Sequence, residues 1–223
     1  MVRSRKVGTV ARRDGRGRQR LVQAIPVLCP LSMWAGFAAL GKRLPPRQAY
    51  NLGFATYWAL WCFAVPAWLL GPRRALAVIR AGRRPTVSEA ALLAVPVLGA
   101  VGTALAPNAR RVDAQLAAVM LGTATVNAIG EELLWRGLFA EEFPDDVLRG
   151  SAWPLVGFSL WHLAPQTILP SRHGRWQLVA GAAFVGLSST VVAHRTGGLW
   201  HTLAPHIATD ACGVAAAEFR LGR

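Results

Sequence analysis

The sequence predicts an all-α protein: a polytopic transmembrane helical bundle of about seven membrane helices, within a range of six to eight. Three observations predict it. Of 223 residues, 53% are hydrophobic and only 16% charged, whereas a soluble domain carries about a quarter charged. The apolar residues fall in long blocks separated by short Arg/Pro/Gly stretches, and a membrane span needs ~20 mostly apolar residues to cross ~30 Å of hydrocarbon. The net charge of +14 comes almost wholly from arginines placed before and between the blocks, where they set topology and meet anionic lipid headgroups. The expected surroundings are therefore membrane lipid, with no nucleic acid as partner.

In chain order, residues 1–20 read as a basic, disordered cytoplasmic arm with Arg3, Arg5, Lys6, Arg12, Arg13, Arg16, Arg18 and Arg20. The block after it is too long for a signal peptide, and further spans follow. Residues 21–223 form a single transmembrane domain with spans at 21–41, 49–71, 87–107, 113–135, 151–166, 176–194 and 197–219. Pro26, Pro30, Pro66 and Pro96 lie inside spans, which bundles tolerate when neighbours satisfy the freed carbonyls. The 73–84 stretch, with five arginines, reads as an interfacial helix or basic loop. The acidic, amphipathic 138–149 stretch reads as a surface segment. Cys29, Cys62 and Cys212 lie in apolar blocks with no CxxC spacing, as small buried residues do. Arginines outnumber on the side of the arm, with Arg136, Arg149 and Arg195 counted there. The positive-inside bias puts the N-terminus in the cytoplasm of what is expected to be a bacterial cell membrane.

Three spans carry polar groups that hydrocarbon does not tolerate unpaired. Span four ends in Asn127-Ala128-Ile129-Gly130-Glu131-Glu132-Leu133-Leu134-Trp135-Arg136. Glu132 and Arg136 are four apart and share a helix face, so they can pair. Glu131 is turned about 100° from Glu132 and faces elsewhere. Glu131 reads as a working base and the Glu132–Arg136 pair as its scaffold. Span five carries Phe158 and His162. Span seven carries His206 and Asp210, four apart, able to orient one another or to face a shared water or metal. His201 lies five before His206 and points away. His173 in a loop and His194 at a helix end read as solvated. Carboxylates and imidazoles in a dry cavity suit general-base activation of water for acyl hydrolysis. An ion- or proton-coupled transporter is the competing class. A non-catalytic scaffold or immunity factor is the third. Gly186-Leu187-Ser188-Ser189 lacks the final glycine of a rhomboid serine motif.

These residues resemble the CPBP family (CAAX protease and bacteriocin-processing, also called Abi), related to the type II CAAX prenyl endopeptidases. Its pattern is Glu-Glu-x-x-x-Arg, Phe-x-x-x-His and His-x-x-x-Asn/Asp on separate membrane helices. Here these are Glu131-Glu132 with Arg136, Phe158 with His162, and His206 with Asp210, all within residues 110–215. The resemblance implies an intramembrane endopeptidase acting near the cytoplasmic face on a membrane-associated peptide or prenylated protein. It implies that Glu131 activates water with His162, and that His206 and Asp210 hold or polarise the scissile carbonyl. The family is named both for metal-dependent and for metal-free chemistry. If a divalent metal such as zinc is used, Glu131, His162 and His206 are the implied ligands. Asp210 stands where many members have Asn, and an ionised carboxylate cannot donate a hydrogen bond to an oxyanion.

Overall fold

The computed structural model describes residues 11–80, 82–172 and 174–221. The outermost part of the arm, 1–10, lies outside the described residues, as does His173. Every regular element among the described residues is helical. They are α1 (Ala11–Gly41), α2 (Pro46–Leu70), α3 (Pro72–Arg80), α4 (Val87–Arg111), α5 (Ala114–Glu132), α6 (Leu138–Glu142), α7 (Trp153–Trp161), α8 (Arg175–Thr196) and α9 (Trp200–Leu221).

Four helices are long and apolar enough to cross a membrane: Gly15–Gly41 within α1, then α2, α4 and α8. The helices with the polar clusters fall short of that measure: α7 is only nine residues long, and α5 ends in two glutamates. The distribution of side chains is that of a bundle in lipid. Leu31, Trp68 and Leu98 are more than half exposed, while Glu131, Glu132, Arg136 and His206 are buried. A protein that turns large apolar side chains outward and ionisable ones inward is solvated by hydrocarbon.

Two departures from the expected boundaries have a common cause. The first helix begins at Ala11, so residues 11–20 are helical rather than part of a disordered arm. The 138–142 part of the expected surface segment instead continues inward: a wide π-helical turn at Leu133–Gly137 joins α5 to α6. Leu138, Phe139 and Glu142 are buried there. Arg18 and Glu142 pair at 2.7 Å, and Gln19 donates to the Glu142 carbonyl. Each charge supplies the other's partner, so both segments extend as helix where isolated charges would have ended them. Arg149 and Asp145 remain exposed as expected. Arg136 is buried, so it belongs to the interior and not to the loop charge that sets topology.

Packing follows from small residues. α9 lies along α5 and against α4, while α1 packs on α7 and α7 on α8. At Gly130 an added Cβ would stand 2.5 Å from the Cys62 Cβ, so glycine lets α5 close onto α2. At Gly157 a Cβ would stand 2.6 Å from Pro26, and the same logic seats α7 on α1. A core of Met33, Phe37, Tyr57, Leu134, Trp135, Phe158 and Trp161 fills the middle. The three cysteines are buried and free. α3 occupies the expected basic 73–84 stretch. After it, Arg83 forks onto Glu89 at 2.7 and 2.9 Å, and Thr86 and Glu89 complete a capping box that starts α4.

Candidate active site

Glu131 and Glu132 are both buried, and their surroundings differ group by group. The Glu131 Oε1 accepts from the Tyr57 hydroxyl at 3.0 Å and from the Trp161 indole N–H at 2.9 Å. Trp135 donates to the Tyr57 oxygen at 2.9 Å, which leaves the Tyr57 hydrogen for Glu131. The Tyr57 ring stacks on Trp161 at 3.7 Å. One carboxylate oxygen is thus fixed, and Oε2 lies 3.3 Å from His206 Nε2.

Glu132 is held more fully, at both oxygens. Its Oε1 lies 2.9 Å from His206 Nδ1 and 3.5 Å from the Arg136 guanidinium, and Oε2 accepts from Thr202 at 2.9 Å. Arg136 sits 4.3 Å over the Phe158 ring, while its Nη atoms make no hydrogen bond among the described residues. Its hold on Glu132 is therefore electrostatic, strengthened by the low dielectric around it.

His162 Nδ1 lies 2.8 Å from the Phe158 carbonyl. A carbonyl only accepts, so Nδ1 carries the proton and Nε2 is a free acceptor. His162 lines a cavity of about 820 Å³ together with Glu131, Asn127 and Asp210. The cavity wall is otherwise largely apolar, with Phe54, Trp58, Val95 and Leu178 among its residues. It runs toward the end of the bundle where α2 and α8 begin, marked by Arg47, Ser171 and Gln177. By helical rise Tyr57 stands ~16 Å from the start of α2 and ~20 Å from its end, so the carboxylates sit deep in the bundle.

His206 Nε2 is 3.5 Å from Asp210 Oδ2 as well as 3.3 Å from Glu131. With Nδ1 turned to Glu132, three acceptor groups converge on one point. That convergence calls for a positive charge among them, either a proton on Nε2 or a cation. Glu131, His206 and Asp210 each offer a ligand atom, all within 4.8 Å of one another. An imidazole and two carboxylates are suitable donors for zinc, and the Glu132 carboxylate behind Nδ1 is the outer partner a metal-bound histidine ordinarily has. The trio differs from the expected Glu131, His162 and His206, because His162 stands apart on the carbonyl of its own helix.

Asn127 was passed over by the sequence reasoning and is central here. Its Oδ1 accepts from Trp58 at 2.7 Å, and its Nδ2 donates to Asp210 at 2.8 Å. Tyr57, Trp58, Trp161 and Thr202 were also missed. Trp161 had a signal, its place beside His162, and Asn127 had one, its place one turn before Glu131. His194 is exposed at the end of α8, and His201 is not among the bonded partners of the cluster. Ser188 is buried and donates to its own helix at Phe184.

Residues 113–212 match the family described as type II CAAX prenyl endopeptidase Rce1-like. Over this stretch the chain is similar to the CAAX protease family. The matched region contains Glu131, Glu132, Arg136, His162, His206 and Asp210, while Tyr57 and Trp58 lie outside it. No curated protein and no solved structure matches the chain. The match lies on a chain with several membrane-length apolar helices, and α1 and α2 fall outside it.

Proposed function

We propose that the chain is an intramembrane endopeptidase that hydrolyses a peptide bond in a membrane-associated protein or peptide, with Glu131 as general base. The observation that carries this is the asymmetry of Glu131. One O–H and one N–H donor hold Oε1, Oε2 meets His206 alone, and the residue lines a cavity of about 820 Å³. A base held in one orientation at the edge of a largely apolar pocket is poised to take a proton from water. In this mechanism a water lies between Glu131 Oε2 and the His162 Nε2 acceptor. Glu131 removes its proton as its oxygen attacks the scissile carbonyl. His206 sets the charge beside Glu131, and the Glu132–Arg136 pair holds His206 in place. Should a divalent metal be bound, Glu131, His206 and Asp210 would hold it, and it would supply Lewis-acid polarisation.

The bundle acts as one domain with seven crossings, α6 and α7 completing the crossings begun by α5 and the Leu148–Ala152 turn. The arginine bias favours a cytoplasmic N-terminus. With that orientation the polar-marked end of the cavity faces away from the cytoplasm, opposite to the cytoplasmic-face site that the family resemblance implies, and labelling of a cysteine placed at Ser171 by a membrane-impermeant maleimide decides between the two. The substrate class is a peptide tethered to lipid, prenylated or otherwise.

The test is cleavage of a quenched fluorogenic peptide bearing a farnesylated cysteine by purified protein in liposomes, beside an acyl-anchored control peptide. Glu131→Gln should abolish cleavage while elution and melting stay unchanged. Undiminished cleavage in that variant would overturn the reading. Chelator sensitivity of the parent, restored by zinc, separates metal-assisted from metal-free chemistry.

A further inference from the structure

We propose that Asn127 is the residue that receives the oxyanion in this site, with Asp210 as its positioning partner. The proposal rests on the peptidase reading above. It starts from an imbalance: His206 turns Nε2 to Glu131 and Asp210 and does not line the cavity, and the titratable groups that face the cavity beside Glu131 are acceptors. Glu131 Oε2 and the Asp210 carboxylate have no hydrogen to give when ionised, and His162 Nε2 is left bare by the bond from Nδ1 to Phe158. A tetrahedral intermediate needs a donor, since negative charge develops on the carbonyl oxygen.

Asn127 supplies one by a process of exhaustion within its own amide. Trp58 Nε1 is a donor only, so at 2.7 Å it fixes which end of the amide is oxygen. Asp210 accepts one Nδ2 hydrogen at 2.8 Å. An amide nitrogen carries two hydrogens, and the second has no partner among the described residues. Asn127 lines the cavity and stands four residues before Glu131 on the same face of α5. The base and the free N–H therefore look into one space from one helix, and the carboxylate at 210, unable to donate itself, orients a neighbour that can.

The step balances as follows. The water oxygen bonds to the carbonyl carbon, its proton passes to Glu131 Oε2, and the C=O electron pair moves onto oxygen, where the Asn127 N–H meets it. On collapse the C–N bond breaks, its pair goes to nitrogen, and Glu131 returns the proton to the departing amine. The products are a carboxylic acid and an amine.

The experiment uses the full chain in liposomes with the farnesylated fluorogenic peptide. Asn127→Leu, close in shape and without donors, should lower kcat by about 10²–10³ with KM changed little, as loss of one oxyanion donor does. Adding Asp210→Asn to Asn127→Leu places an amide donor back at the cavity and should recover at least about tenfold of kcat, an effect that repair of a merely structural defect would not give. Trp58→Phe, which frees the amide to turn over, should lower kcat in a protein with unchanged melting; it keeps the proposal testable if Asn127→Leu fails to fold. A kcat within about threefold of the parent in both Asn127→Leu and Trp58→Phe, or a double variant no faster than Asn127→Leu alone, overturns the proposal. Glu131→Gln run in parallel separates the two failures: if it is inactive while the Asn127 variants are normal, the oxyanion assignment is wrong and the peptidase reading stands.

Discussion

The two halves of the chain contribute different things to one site. The segment that matches the CAAX protease family, residues 113–212, holds the groups proposed here to do the chemistry, Glu131, His162, His206 and Asp210. The first hundred residues bring groups that do no proton transfer, yet α2 alone supplies two of the bonds that orient those reactive groups. Tyr57 fixes one oxygen of Glu131 and Trp58 fixes the amide of Asn127. A carboxylate and an amide on a helix can rotate through several rotamers, and donors from a second rigid helix remove that freedom. The difference teaches that part of the alignment of these groups, the bonds from Tyr57 and Trp58, comes from a stretch of sequence outside the matched segment, while Trp161, Thr202 and Arg136 supply the rest from within it.

The largest expected effect removes the chemistry itself. Glu131→Gln keeps the hydrogen-bonding shape but is no base, and should cost about 10²–10⁴ in kcat with the melting point unchanged; comparable turnover by the variant would show that the matched segment does not hold the base. Next comes the scaffold within that segment. Arg136→Met leaves Glu132 buried without its guanidinium partner and should destabilise the protein by about 3–5 kcal/mol, read by urea or thermal unfolding in detergent. A smaller effect should follow from the other half. Tyr57→Phe removes one bond to a charged oxygen, about 1.5–3 kcal/mol, and should slow kcat by about 10- to 100-fold while KM holds. If KM rises instead and kcat holds, α2 contributes binding rather than alignment. The smallest is at the seam between the halves: Gly130→Ala pushes a methyl toward Cys62 and should cost about 1–3 kcal/mol of stability, with activity lost only in proportion to the unfolded fraction.

How much of this could be read in advance follows the range of the interactions. Glu132 and Arg136 are one turn apart, so their pairing was legible from spacing, as was the shared face of His206 and Asp210. That the two glutamates meet different neighbours was also legible, because adjacent residues on a helix must face different ways. The Tyr57 and Trp58 contacts were not. A lone aromatic in an apolar span has no periodicity that announces a partner 74 residues later. The grouping of Asp210, rather than His162, with Glu131 and His206 was hidden for a related reason: a histidine that bonds to its own helix looks in sequence like one that reaches across. The burial of Leu138, Phe139 and Glu142 was misjudged because an amphipathic pattern is read as facing water, and here Arg18 from the far end of the chain stands in for water.

The reach of the bonds to Glu131 and Glu132 across α2, α5, α7 and α9 has a consequence for how the protein is made. Synthesis delivers α2 first, so Tyr57 and Trp58 are already in the bilayer when α5 brings in its two carboxylates. Trp161 arrives later, and His206 and Thr202 arrive last. Until α9 is in place, Glu132 has Arg136 alone as its partner and Glu131 lacks the His206 imidazole beside its Oε2. In a nascent chain passing through the insertion machinery, the cluster around the two glutamates therefore stays incomplete until the final helix docks.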